Sequence, residues 1–171
     1  IPEYVARVEI INPFQQGDGA TICFPRSGFL VEDCTVDREQ RNFVDYLEQV
    51  KADARWPLVT NCAGAQLNVS ISGVDKVKRQ VLLYAPVVAG VEYRLAAPVL
   101  DLAGYFGKEF AARHIDPVFS CNCYLNYRYA QLQGKRTGNA MGPFTFGEIA
   151  YVQLNQTLVY VTFDPASHET S

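Results

Sequence analysis

The chain has 171 residues, of which 49% are hydrophobic and 19% charged, with a net charge of −3. That length suits one domain able to bury a core, and that composition argues against disorder. The acidic balance argues against a nucleic-acid or anionic-membrane partner, and no apolar run nears the roughly 20 residues of a spanning helix.

Tyr4 to Ile11 (YVARVEII) alternates in part and is rich in β-branched residues, so it reads as a strand ended by Asn12-Pro13. Gln15 to Ala20 is a polar turn. Thr21 to Phe24 and Phe29 to Val31 are short strands around the turn Pro25-Arg26-Ser27-Gly28. Asp37 to Ala54 reads as a helix, with Phe43, Leu47, Val50 and Ala54 on one face. Asp37 and Gln40 have the spacing of a capping box, and Trp56-Pro57 is the stop.

Leu58 to Cys62, Gln66 to Ser72, Val77 to Tyr84 and Val91 to Leu95 follow as strands. Short joins at Gly73–Lys76 and Pro86–Gly90 predict an antiparallel meander. Pro98 to Arg113 is a second helix, with Val99, Leu102, Ala103, Phe106 and Phe110 inward. Val118 to Cys121 is a strand and Tyr124 to Gln133 a short helix. Gly134 to Gly142 is a polar loop, and Phe144 to Tyr151 and Thr157 to Phe163 are closing strands. A tail runs over 165–171. Consecutive strands outnumber helices, so the expected class is α+β: a mainly antiparallel sheet with two longer helices and one short helix packed on it, in a single domain.

Five cysteines, Cys23, Cys34, Cys62, Cys121 and Cys123, form an odd set. The first residues, from Ile1 on, are not a signal peptide, and the missing Met reads as a trimmed start. Reduced thiols and a cytoplasmic protein are expected. Cys121-x-Cys123 lacks the spacing and the further ligands of a structural zinc site, so neither metal nor cofactor is expected. His114 at a helix end and His168 in the tail leave no evident cysteine–histidine pair. The sequon-like triplets at Asn68 and Asn155 lie in strand-like runs and read as chance matches.

The oddest dipeptide is Gly147-Glu148, set among aromatic and β-branched residues. A carboxylate there must find a partner or shift its pKa. Two readings stay open: a pocket acid that meets a ligand's amine or hydroxyl, or a glutamate satisfied by backbone or by an arginine such as Arg94 or Arg128. Asn122 and Asn155 offer uncharged hydrogen-bonding groups near the same strands, as ligand contacts or as turn formers.

The run Gly142 to Ala150 (GPFTFGEIA), followed by Leu154-Asn155-Gln156-Thr157-Leu158, resembles the C-terminal domain of FIST sensory proteins. Cys121 is similar to the cysteine that opens that domain's last block. Ala85 to Leu95 and the Phe43–Tyr46–Leu47, Trp56-Pro57-Leu58 order also follow it, so the likeness covers about residues 29–164. The chain departs from it after the cysteine, where Asn122-Cys123-Tyr124-Leu125 stands in place of a Gly-Arg-Gly-like piece.

The resemblance implies a divergent, stand-alone, intracellular domain that senses a small molecule, amino-acid-like in chemistry. The expected ligand-binding residues are Cys121, Asn122, Gly147, Glu148 and Asn155, with no catalytic residue. Two alternatives stay open: a structural or interaction subunit that forms a homodimer, and a thiol enzyme using Cys121 or Cys123 with Glu148.

Overall fold

The computed structural model describes residues 4–62, 64–150 and 152–165. Tyr151, His168 and the tail expected beyond Pro165 lie outside the described residues.

In chain order the elements are β1 (Tyr4–Ile11), β2 (Ile22–Cys23), β3 (Gly28–Val31), β4 (Asp33–Val36), β5 (Glu39–Asn42), α1 (Phe43–Gln49), β6 (Leu58–Cys62), β7 (Ala65–Val69), β8 (Ile71–Asp75) and β9 (Gln80–Val87). They continue with β10 (Glu92–Leu95), α2 (Leu102–Ala112), β11 (Phe119–Cys123), α3 (Tyr124–Tyr129), β12 (Phe144–Thr145), β13 (Ile149–Ala150), β14 (Val152–Gln153) and β15 (Leu158–Pro165). The fold is α+β, mainly antiparallel, with three helices among the described residues. The chain divides into two compact units.

Unit 1 comprises residues 1–13, 101–152 and 157–171. Its sheet has the order β1-β15-β11-β12, antiparallel except for the parallel β11–β12 pair. β1 and β15 pair over their full length, from Tyr4↔Pro165 to Ile11↔Leu158. The start of β15 is buried, with Leu158, Val159 and Tyr160 all in the core, and the Phe110 ring of α2 lies 5.7 Å from that of Tyr160. Helix α2 starts four residues later than Pro98. The Asp101 side chain accepts from Gly104 N at 2.9 Å and so caps it at that point. The expected inward Val99 precedes the helix. Helix α3 ends at Tyr129, short of Gln133, because Gln131 turns to a positive φ of 50°.

Unit 2 comprises residues 14–100 and 153–156. It holds a six-stranded sheet, β5-β4-β2-β10-β6-β7, and a three-stranded one, β3-β9-β8. Ile22, Phe24, Phe43, Leu47, Leu58 and Tyr93 are central to its core.

The helix expected over 37–54 is corrected to two elements. Residues 33–42 form the β4–β5 hairpin, in which Gln40 pairs with Thr35. Asp37 and Arg38 form its tip at positive φ of 48° and 75°. Thr21 N donates to Asp37 Oδ1, so the expected capping aspartate serves a turn instead. The helix begins after Asn42, whose side chain accepts from Val44 N at 3.1 Å. Val50, expected inward, lies past the helix and is exposed.

The meander is also corrected. The run over 66–72 breaks at Ser70 into β7 and β8, which join different sheets, and β9 and β10 part in the same way. The turn between β8 and β9 falls at Lys76–Arg79, and β9 runs on through Pro86. The closing strand expected over 144–151 is interrupted by a bend at Phe146–Gly147, where Gly147 has a φ of +79°. Glu148 therefore follows a bend and is not mid-strand.

Candidate functional site

Glu148 is buried, 1% exposed. Its Oε1 accepts two hydrogen bonds from Thr157, from the backbone N at 2.7 Å and from Oγ1 at 2.6 Å. Burial pushes the Glu148 carboxyl above its ordinary value. The Thr157 donors, and to a lesser degree the Cys123 thiol, oppose that rise without cancelling it. Oε2 has no hydrogen-bond partner among the described residues. Arg94 belongs to unit 2, and among the described residues Arg128 forms no ion pair with this acid; the satisfied half of the carboxyl is held by a threonine nine residues on.

From Thr157 the hydrogen bonding continues. Its carbonyl accepts from Cys123 N at 3.1 Å and from Asn126 Nδ2 at 3.3 Å. Asn126 Nδ2 also donates to Asn122 Oδ1 at 2.9 Å. The result is a buried polar chain, Glu148–Thr157–Asn126–Asn122, inside unit 1. Three atoms along it have no partner: Glu148 Oε2, Asn126 Oδ1 and Asn122 Nδ2. An orphaned buried polar atom costs about 1–3 kcal/mol.

Asn122 stands in the wall of a hollow of about 520 Å³, together with Asp116, Ser120, Lys135, Arg136 and Thr137. The loop expected over 134–142 forms much of that wall. Gly142 lets it close on β11: a Cβ there would overlap the Ser120 carbonyl oxygen. Ser120 N donates to Met141 O at 3.2 Å, and Asn122 N to Pro143 O at 3.1 Å. Two cationic side chains and one carboxylate thus border a hollow also lined by Asn122, whose amide nitrogen is buried and without a partner.

The expected site residues are therefore distributed. Asn122 and Glu148 lie on one hydrogen-bonded chain. Cys121 is half-buried on the same strand as Asn122, with its Sγ 3.1 Å from Thr145 Oγ1. Gly147 shapes the bend before Glu148. Asn155 belongs to unit 2, where its Oδ1 accepts from Ser70 N at 3.3 Å and its Nδ2 donates to Leu154 O at 2.8 Å. Its carbonyl accepts from Asn68 Nδ2 at 2.9 Å, and the adjoining Gln156 Oε1 accepts from Ser70 Oγ at 2.7 Å. That group joins the residue-153 segment to β7 and engages both polar side-chain atoms of the buried Asn155.

The sequence reading missed Asn126, and marked Thr157 only as a hydrogen-bonding group beside Asn155 and Gln156, not as the partner of Glu148. The one local signal was the four-residue spacing of Asn122 and Asn126. Among the described residues no three His, Cys, Asp or Glu side chains gather so as to hold a metal ion, and no helix is long and apolar enough to cross a membrane. Unit 2 has a larger hollow of about 640 Å³. Its Arg41 already binds Glu39 at 3.0 Å and Gln49 at 2.6 Å, and the three orphaned atoms belong to unit 1, which makes the Asn122 hollow the candidate.

Fold and site together define an α+β protein with a buried acid–amide chain leading to a polar hollow. A model for a family of unknown function, DUF6976, matches residues 1–164, and the chain belongs to that family. No curated protein and no solved structure matches it. The match says nothing about the FIST resemblance.

Proposed function

We propose that this protein binds a small zwitterionic molecule, amino-acid-like in chemistry, in the Asn122 hollow, without chemical conversion. The observation that carries this is a wall that presents Lys135, Arg136 and Asp116 beside Asn122, whose buried amide nitrogen has no partner. A carboxylate is matched by two cations, and an ammonium by one acid. Lys135 also donates to Ala130 O at 3.2 Å, which keeps its ammonium close to the protein surface. Glu148 acts behind the site in this reading, by holding Thr157 and through it Asn126 and Asn122. A sensory role is the step that the FIST C resemblance adds.

The test is native mass spectrometry of protein from its own host, followed by thermal-shift titration with the twenty amino acids. A copurifying small zwitterion is expected, with a stabilisation that Asn122→Ala and Arg136→Ala both reduce. No bound molecule and no stabilising amino acid, or full binding by both variants, would sink the proposal.

The interaction-subunit alternative has an observation of its own, taken up next. For the thiol-enzyme alternative, Cys123 is buried with its thiol against the Glu148 carboxyl, and Cys121 faces a threonine hydroxyl.

A further inference from the structure

β1 lies at the edge of the unit 1 sheet, with β15 as its neighbour. Apart from those strand bonds, no backbone hydrogen bond among the described residues ends on residues 4–11. Tyr4 to Glu9 are all exposed, with Tyr4 at 59%, Val5 at 49% and Val8 at 37%. On the neighbouring strand β15, Phe163, opposite Ala6, is 54% exposed. A long, apolar, unpaired edge is a template for another strand.

The charges on this edge choose the strand. Antiparallel pairing sets residues of like orientation opposite each other, so two copies of β1 can pair only about an axis that passes through a residue. An axis at Arg7 sets two arginines face to face, and one at Glu9 sets two glutamates face to face. An axis at Ala6 sets Arg7 against Val5. An axis at Val8 sets Arg7 of each copy against Glu9 of the other, twice, and Ala6 against Ile10. Opposite charges directly across strands stabilise and like charges destabilise. Within the chain Arg7 pairs with Asp164 and Glu9 accepts from Tyr160. A guanidinium with five donors and a carboxylate with two oxygens retain capacity for a second partner.

We infer that two copies of this chain associate through the free edge of β1, antiparallel about a two-fold axis at Val8, to give one sheet running through both copies. Ala6, Val8, Val161 and Phe163 share one face of the ribbon. The pairing makes that face continuous across the axis and covers part of its apolar surface.

The test uses the full chain in sedimentation and light scattering. Wild type is expected to be dimeric. Arg7→Glu and Glu9→Arg each place like charges opposite twice and are expected to weaken the dimer about tenfold or more. An equimolar mixture of the two variants restores both opposite-charge pairs and is expected to give a heterodimer; so is the double variant Arg7→Glu/Glu9→Arg, alone, as a homodimer. Restoration separates a lost interface from a damaged fold, because neither variant regains a missing intrachain contact on mixing. A monomeric wild type overturns the inference, as do single variants that dimerise like wild type or a mixture that stays monomeric.

Discussion

Thr157 gives both its backbone N–H and its hydroxyl to the same oxygen of Glu148, at 2.7 and 2.6 Å, and leaves the other oxygen without a partner. The pair closes the loop between Glu148 and the start of β15. Burial raises the carboxyl's pKa despite those donors, so the folded chain holds this proton to higher pH than the unfolded chain does. The contribution to stability is then greatest below the unfolded value near 4.5 and is lost as pH rises through the raised folded value. Glu148→Gln keeps an acceptor for Thr157 but does not titrate. The difference in urea midpoint between wild type and Glu148→Gln, followed over about pH 4 to 8, is expected to shift against the wild type as pH rises. A difference independent of pH would mean that the acid titrates normally.

Thr157→Val removes the hydroxyl and leaves the backbone donor in place, at nearly constant volume. The carboxyl loses one of the two hydrogen bonds that Thr157 gives it. The expected cost is about 1–3 kcal/mol, read from denaturant unfolding. A variant as stable as wild type would show that water takes over the hydroxyl's role.

Gly142→Ala places a methyl group where the Ser120 carbonyl oxygen lies. The obstacle is backbone, so the loop must move rather than a side chain rotate. The Ser120 N to Met141 O bond is expected to break, with a cost of about 1–3 kcal/mol. Hydrogen exchange at the Ser120 amide is the direct measure, and unchanged protection there would refute the close approach.

All five cysteines are free, and their settings differ. Cys62 is exposed. Cys34 is 1% exposed, and burial, with a smaller push from Asp33, raises its thiol to about 12. Iodoacetamide at neutral pH is expected to modify Cys62 and to spare Cys34 and Cys123 until the protein unfolds. Labelling of Cys121 or Cys123 faster than Cys62 would favour the thiol-enzyme alternative.

The local pattern of residues was enough to place β1 and β6 to the residue, the antiparallel α+β class, and the oddity of an acid after Gly147. Each of these is written in adjacent side chains: alternation, β-branching, and a charge where an apolar residue was due. The hairpin over 33–42 was not legible in that way. Its strand residues lead without a break into the helical spacing from Phe43, and the choice fell to Asp37 and Arg38 at positive φ, held by Thr21 sixteen residues away in sequence. Glu148 shows the same division. Its burial was expected from its neighbours, but the Asn126–Thr157 contact that extends its hydrogen bonding towards Asn122 spans 31 residues. The partner of a buried polar group, and the sheet that a strand joins, are set by packing between distant segments, and no local periodicity encodes them.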